Sequence, residues 1–198
     1  GYAVDVIGTD QDLNNYDLVI VPSMPYITDD FEKQLNAYNG SIVFGPRSAS
    51  KVQTLSIPDG LPPAKGAVRE RLPIYVERVE SLRTDLADKV SFDGKQYPVQ
   101  AWAEWVQCVR DGQNTTMPVE ATFSGYRDGE PATCAHKTED GRVSRYVAYY
   151  GDADFLTAYL AKVASEAGVQ NMVGKVPSAS DDLGADLRFA RQGKALFA

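Results

Sequence analysis

One serine of this sequence occupies a position where a nucleophile could do chemistry. Ser48 lies in the turn Gly45-Pro46-Arg47-Ser48, which follows the apolar run Ser41-Ile42-Val43-Phe44. A serine nucleophile needs a general base within hydrogen-bond reach and a small-residue elbow around it. Ser48 lacks that elbow, the turn has no cysteine, and the only histidine, His136, lies far along the chain in a predicted hairpin. We therefore expect no catalytic triad, and we interpret His136 as a hairpin or surface residue.

The other residue types that carry chemistry do not form a site in the sequence. Cys108 and Cys134 are the only cysteines, and their spacing predicts neither a disulfide scaffold nor a metal site. Asp29-Asp30 fall at a predicted helix start and Asp181-Asp182 in a predicted linker, so neither pair indicates the acid and base of a glycosidase. Glycine-rich phosphate loops are absent from the sequence. We expect no cofactor and no metal.

The composition is that of a soluble globular chain with an acidic balance. The 198 residues are 43% hydrophobic and carry a formal net charge of -7. Phosphate binding needs a basic face, so nucleic acid is not an expected partner. No apolar run approaches the ~20 residues that span a bilayer, and two isolated thiols favour a reducing, cytoplasmic compartment. The chain begins in a predicted strand, residues 3–7, without a methionine, and we expect it to be a piece of a longer protein.

The turn that contains Ser48 belongs to a predicted strand–helix–strand unit. Leu18-Val19-Ile20-Val21 and Ser41-Ile42-Val43-Phe44 are apolar runs typical of buried strands, and Thr28 caps the predicted helix between them. Strands joined in this way run parallel, and function usually lies in the loops at their carboxyl ends, here Pro22–Ile27 and Gly45–Lys51. The predicted fold is therefore α/β, with a mostly parallel sheet flanked by helices.

The second half of the chain predicts further strands and a long helix. Asp93-Gly94 is a hairpin turn signal. Asp152 caps an amphipathic helix that places Leu156 on its buried side and ends near Gly168. Additional strands are predicted over 118–125, 131–136 and 143–150. A polar linker over 176–182 then leads to a predicted hairpin within 186–197.

Two tryptophans and two cations are candidates for a contact surface. Trp102 and Trp105, with the valines that follow, have the spacing of a helix face, although their flanking residues leave a strand open. Large aromatic residues anchor cores and interfaces, so we interpret them in that way, with sugar stacking as the alternative. Arg47 and Lys51 are either solvated charges or groups directed at a neighbouring domain.

Nearly the whole chain resembles the middle domain of glycoside hydrolase family 42 β-galactosidases. The more specific parts of the resemblance are the Arg-Ser-x-x-Lys loop, Arg47 to Lys51, and the Val-Glu-x-Val-Glu-Ser strand, Val76 to Ser81. Other matching segments are Tyr16 to Ser23, the Phe31–Tyr38 helix, Ser41 to Lys51, Leu72 to Leu82, Trp102 to Trp105, Asp128 to Ala132, Gly141 to Val143, Tyr146 to Gly151 and the closing helix.

The resemblance implies a non-catalytic role for this chain. In that family a (β/α)₈ barrel carries two catalytic glutamates, a middle domain with an amidotransferase-like fold and no nucleophile builds the trimer, and a small β domain follows. No catalytic residue is therefore carried over. The implied function is trimerisation of a bacterial, cytoplasmic enzyme of carbohydrate metabolism that hydrolyses terminal β-D-galactosides. Its implied partners are further copies of itself, the barrel and the β domain.

These expectations assign regions and residues. Residues 1–175 are expected to form the trimerisation domain, and 176–198 the linker and first hairpin of the β domain. Candidates for the interface, or for a wall of a neighbour's active site, are Arg47, Ser48, Lys51, Trp102 and Trp105. The alternative is a free-standing amidotransferase-like hydrolase or small-ligand binder that uses Ser48 or a loop carboxylate.

Overall fold

The computed structural model describes residues 2–83, 85–86, 88–110, 113–114, 117–139, 141–169, 190–192 and 195–197. Its helices are α1 (Asp29–Ala37), α2 (Gly66–Arg71) and α3 (Ala153–Glu166), with a short 3-10 helix at Leu13–Asn15. Its strands are β1 (Leu18–Val21), β2 (Ser41–Phe44), β3 (Ile74–Ser81), β4 (Lys89–Phe92), β5 (Lys95–Arg110), β6 (Gln113–Asn114), β7 (Val119–Phe123), β8 (Pro131–Lys137), β9 (Val143–Val147), β10 (Tyr149–Gly151), β11 (Ala190–Gln192) and β12 (Ala195–Phe197).

The predicted strand–helix–strand unit is confirmed. The Thr28 hydroxyl accepts a 3.2 Å hydrogen bond from the Phe31 backbone N–H, which satisfies one free donor at the start of α1. Acidic residues in the first turn add a favourable interaction with the helix dipole. The flanking strands β1 and β2 pair in parallel, with Leu18 opposite Ser41. The Ser48 turn therefore lies at the carboxyl end of a parallel strand.

The prediction of a mostly parallel sheet is wrong. The strand order is β1-β2-β9-β8-β7-β4-β5-β10, with β3 and β6 also paired to β5. Only the β1–β2 and β2–β9 pairings are parallel among the described strands of this sheet. Short turns join β4 to β5, β7 to β8 and β8 to β9, and such hairpins make neighbouring strands antiparallel. The fold is a mixed α/β arrangement with one parallel corner.

The long strand β5 pairs with four other described strands along its length, β4, β10, β3 and β6. The Asp93-Gly94 turn that precedes it has positive φ at both residues, 50° and 72°, as a tight hairpin requires. The first part of β5 pairs with β4, and the part from Trp102 to Cys108 pairs with β3. Ala101, with φ 53°, lies between the two parts. The 101–110 segment is thus a strand, and its helix-like apolar spacing arises because both strand faces carry large side chains.

Helices cover both faces of the sheet. Ile42 and Phe44 of β2 belong to a core that includes residues of α1 and α2. Val43, which points to the opposite face, belongs to a second core that includes residues of α3. In that second core the Phe155 ring lies 5.0 Å from the ring of Tyr149 and 5.5 Å from that of Tyr97, measured between centroids.

Several local predictions have mixed outcomes. Asp152 caps α3 as predicted and accepts a 2.9 Å hydrogen bond from the Phe155 N–H, but Leu156 is 38% exposed instead of buried. Residues 3–7 do not form a strand, and Val4 and Val6 extend into solvent. The apolar pattern of residues 3–7 predicts a strand, but a strand is stable only when a neighbouring strand pairs with its backbone. These residues are not paired with any described strand of the sheet.

The last described residues form a separate antiparallel pair. Strands β11 and β12 pair with Ala190 opposite Phe197, as the predicted hairpin requires. The predicted linker over 176–182 lies outside the described residues. Among the helices that the structure describes, none has the length and apolar character needed to cross a bilayer.

Candidate functional site

The loops after β1 and β2 are bound to each other through their backbones. The N–H of Ala49 donates to the Met24 carbonyl at 2.9 Å, and the N–H of Lys51 donates to the Pro25 carbonyl at 2.8 Å. Gly45 is required where the loops meet, because a Cβ there would overlap the carbonyl oxygen of Pro22. The loops at the carboxyl ends of the parallel strands are therefore packed together.

A buried carboxylate from β5 holds the turn at the end of β2. Glu104 is 1% exposed, and its Oε1 accepts hydrogen bonds from the Arg47 backbone N–H at 2.9 Å and from the Trp102 indole at 3.0 Å. Its Oε2 accepts a 2.6 Å hydrogen bond from the Tyr146 hydroxyl. Burial raises the pKa of Glu104 above its ordinary value, and these hydrogen bonds offset only part of the increase.

Arg47 adopts a conformation that L-residues rarely adopt. Its φ is 67°, in the left-handed region, and the hydrogen bond from its N–H to Glu104 stabilises this geometry. The Arg47 guanidinium lies 5.0 Å from the centre of the Trp102 ring, within the range of a cation–π interaction. The turn, Glu104 and Trp102 thus form one connected unit.

Ser48 is not presented as a nucleophile. Its side chain is buried, 1% exposed, and its hydroxyl donates a 2.8 Å hydrogen bond to the Gly45 carbonyl. The His136 ring lies elsewhere, with Nδ1 2.8 Å from the Arg71 carbonyl oxygen. Ser48 therefore stabilises the turn, and the described residues around it supply no imidazole base. The described residues also contain no cluster of three or more carboxylate, cysteine or histidine side chains able to hold a metal.

Trp105 lies on the opposite face of β5 from Trp102. It is opposite Arg78 in the β3 ladder, whereas Trp102 is opposite Ser81. Its indole donates a 2.8 Å hydrogen bond to Glu80, and the Arg78 guanidinium lies 4.4 Å from the centre of its ring. Tyr126, 58% exposed, donates to the other oxygen of Glu80. We call Arg78, Glu80, Trp105 and Tyr126 the Trp105 surface.

A buried ion pair supports the Trp105 surface from below. The Arg127 Nε donates to Asp88 at 3.0 Å, and both side chains are fully buried. The Arg127 guanidinium lies 3.5 Å from the centre of the Phe123 ring and 5.6 Å from that of Trp105. Its two terminal nitrogens are buried without a hydrogen-bond partner among the described residues. The buried Arg127–Asp88 pair therefore lies next to the half-buried Trp105 ring.

The structure brings some candidate residues together and separates others. Arg47 and Ser48 lie in one turn, Lys51 follows on the same loop and is half-buried, and Trp102 contacts Arg47. Val79, 48% exposed, is opposite Glu104 in the β3–β5 ladder and so shares the face of Trp102. We call Arg47, Val79 and Trp102 the Trp102 surface.

Sequence reasoning did not single out Glu104, Tyr146 or Arg127. The available signal for Glu104 was a single carboxylate flanked by Trp102, Ala103, Trp105 and Val106, an apolar context in which a charge needs partners. These residues act within the fold by positioning the two tryptophans.

The structure is a mixed α/β domain in which the loops after β1 and β2 pack against each other. The tryptophan side chains of β5 lie on opposite faces of that strand.

Comparison with known proteins assigns this domain to a family. The family model described as "Beta-galactosidase trimerisation domain" matches residues 1–170. The chain belongs to that family.

Individual relatives agree with this assignment. The chain is 30% identical over 198 residues to a beta-galactosidase of Thermus thermophilus and 31% identical over the same length to beta-galactosidase BgaA of a Thermus species. Each alignment covers 100% of this chain and 27% of the relative, so the chain spans about a quarter of their length. The crystal structure of a beta-galactosidase from the psychrophilic Marinomonas ef1 matches with a TM-score of 0.69 at 28% identity, over 84% of this chain and 23% of that one.

Proposed function

We propose that this chain is the non-catalytic self-association domain of a β-galactosidase that hydrolyses terminal β-D-galactosides in carbohydrate metabolism. The family match over residues 1–170 carries this proposal. The active-site carboxylates would belong to a barrel domain outside this chain, since Glu104, the buried carboxylate of the site described above, is engaged by hydrogen bonds from Arg47, Trp102 and Tyr146. A cytoplasmic location is part of the proposal and is supported by the two free cysteines.

The proposed assembly is a homotrimer, and the two tryptophan surfaces suit it. A closed ring of three copies uses a heterologous interface, in which each copy contributes two different surfaces. Trp102 and Trp105 face opposite sides of β5 and supply two such surfaces from one strand. Tryptophan, tyrosine and arginine are the residues most enriched at the energetic centres of interfaces. We place Arg47 and Lys51 at the polar rim, with Ser48 as support for the turn.

The finer domain description follows from the same assignment. We infer an amidotransferase-like layering for the corner formed by β1, β2 and β9, where α1 and α2 cover one face and α3 the other. We further infer a trimerisation domain over 1–175 and a linker with the first hairpin of a β domain over 176–198. The barrel and that β domain would be the partners of this chain within one polypeptide.

The test is the molar mass of the enzyme that carries this chain, measured by light scattering over a dilution series. We expect three copies per particle, and we expect Trp105→Ala and Trp102→Ala each to shift the mass toward one copy at concentrations where the unmodified enzyme stays assembled. Leu156→Ala removes an exposed apolar side chain on α3 and is the matched control. A trimer unaffected by either tryptophan substitution would contradict the assigned surfaces, and a single-copy mass for the unmodified enzyme would contradict the assembly itself.

A further inference from the structure

An asparagine–glycine pair joins helix α1 to strand β2. Asn39-Gly40 is the only such pair in the sequence, and it lies after the end of α1 at Ala37 and before the start of β2 at Ser41. Asn39 is exposed. Among the described residues, neither its side-chain amide nor the backbone N–H of Gly40 has a hydrogen-bond partner. The two groups are therefore adjacent in the chain and unengaged.

These two groups can react with each other. The backbone nitrogen that follows an asparagine can attack the side-chain amide carbon and close a five-membered ring, which makes asparagine one of the thermolabile residues of proteins. A hydrogen bond on that nitrogen, or a bulky side chain on the next residue, slows the attack. Glycine has no Cβ to obstruct it, and the Gly40 N–H makes no hydrogen bond within the described chain.

The fold does not accept a slower-reacting residue at position 40. A Cβ at Gly40 would overlap the hydroxyl and ring of Tyr38. That ring cannot move aside at low cost, because Tyr38 is fully buried and its hydroxyl lies 3.1 Å from the carbonyl oxygens of both Tyr16 and Ser41. The packing that joins the start of β2 to the segment before β1 therefore also keeps Asn39 next to an unhindered amide.

We propose that Asn39 is a deamidation site whose co-reactant is water. The Gly40 nitrogen gives its proton to a base and attacks the side-chain amide carbon of Asn39, and the bond from that carbon to the amide nitrogen breaks. Ammonia leaves, and a cyclic imide remains. Water then opens the ring at either of its carbonyls, which gives aspartate or isoaspartate. One asparagine and one water thus give one acid and one ammonia.

The isoaspartate product would disturb the corner formed by α1, β1 and β2. Its main chain runs through the former side chain, so the backbone between Tyr38 and Ser41 becomes one carbon longer. The hydrogen bond from the Tyr38 hydroxyl to the Ser41 carbonyl spans this short segment and would have to adjust to the extra carbon. We therefore expect the isoaspartate form to unfold at a lower urea concentration than the unmodified protein.

The experiment stores the folded enzyme that carries this chain at mildly acidic and mildly alkaline pH and then maps its tryptic peptides by mass spectrometry. Cleavage after Lys33 and Arg47 releases one peptide that contains both Asn36 and Asn39. We expect this peptide to gain about 1 Da, with fragment ions that assign the gain to Asn39. The gain should be faster at alkaline pH, because a base removes the Gly40 proton. An isoaspartate-specific methyltransferase should methylate the same peptide.

Asn36 is the internal control. It is also exposed, but it lies within α1 and precedes Ala37, whose backbone N–H is engaged by the helix. Asn36 should keep its amide, and Asn39→Gln, which would need a larger ring, should keep its mass during storage. The proposal is overturned if Asn39 keeps its amide in the folded enzyme over a period in which the urea-unfolded chain loses it. It is also overturned if Asn36 reacts as fast as Asn39.

Discussion

The hydroxyl of Tyr146 donates a 2.6 Å hydrogen bond to the Oε2 of Glu104, which links β9 to β5 across the interior. Both side chains are buried, and three other strands separate β9 from β5 in the sheet order. The bond therefore connects the parallel corner directly to the strand that carries both tryptophans. Hydrogen bonds to a buried charge contribute more than those between neutral groups.

Tyr146→Phe should destabilise the protein without changing the fold. The substitution removes only the hydroxyl and leaves Glu104 Oε2 without that donor in a buried site, which costs about 1–3 kcal/mol of unfolding free energy. Urea unfolding measures this as a lower midpoint at unchanged slope. Tyr150→Phe is the matched control, because that half-buried tyrosine makes no hydrogen bond through its hydroxyl in the described structure. Equal midpoints for the two variants would show that the Tyr146 bond contributes nothing.

Glu104→Gln should change how stability depends on pH. The pKa of Glu104 is raised by burial in the folded state, so the folded protein binds more protons than the unfolded chain in the window above the ordinary value of 4.5. Stability therefore falls as pH rises through that window, and glutamine removes the effect while its carbonyl still accepts from Arg47 and Trp102. Between about pH 5 and about pH 8, the free energy of unfolding should fall less for the variant than for the unmodified protein. A parallel pH profile would contradict the raised pKa.

Arg145→Met should be strongly destabilising. Arg145 is 5% exposed and pairs with Glu120 at 3.0 Å, while Lys162 pairs with the same carboxylate at 2.8 Å. Burial raises the pKa of Glu120, but hydrogen bonds from Lys162, Tyr159 and Arg145 outweigh it and hold the pKa below its ordinary value. Removing one member of a buried pair costs about 3 kcal/mol, measured as unfolding free energy.

The control for Arg145 is Lys33→Met. Lys33 pairs with Asp30 at 2.9 Å, and both side chains lie almost wholly in solvent. Exposed pairs contribute little, so this substitution should leave the unfolding midpoint unchanged. If Arg145→Met and Lys33→Met lose similar amounts of unfolding free energy, burial does not determine how much the Arg145–Glu120 pair contributes to stability.

Gly45→Ala should disrupt the packed loops. The new methyl group would overlap the Pro22 carbonyl oxygen, and backbone cannot move away as a flexible side chain can. We expect a loss of more than about 2 kcal/mol and early proteolysis near the loops. Gly94→Ala is the comparison: nothing lies within 4 Å of its Cβ position, so only the positive φ costs stability, about 1 kcal/mol. If Gly94→Ala lowers the free energy of unfolding more than Gly45→Ala does, the close approach of Gly45 to the Pro22 carbonyl does not limit the stability of the protein.

Local signals in the sequence predicted the elements better than their arrangement. The Thr28 and Asp152 caps and the Asp93-Gly94 turn depend on neighbouring residues, and the structure confirms each of them. Strand direction depends on how distant segments pair, and one parallel unit at β1 and β2 did not determine the rest of the sheet. The hairpins that follow β4 and β7 do determine it, because short turns reverse the chain.

The site was less accessible to sequence reasoning than the fold. Trp102 and Trp105 were identified as anchors, but a helical spacing would place them on one face, whereas β5 places them on opposite faces. Glu104 lies between them and acts through Arg47, which is 57 residues earlier in the chain. Relations of this kind exist only between strands, and no local pattern encodes them.

The register of β5 against β3 constrains how this domain can change. Side chains alternate across a strand, so inserting or deleting one residue between Trp102 and Glu104 would place Trp102 and Trp105 on the same face. The same shift would turn the Glu104 carboxylate away from Arg47 and Tyr146. Many substitutions along β5 affect one face and leave the other in place, whereas a change in its length affects both faces and the buried carboxylate at once. This strand can therefore vary in composition much more readily than in length.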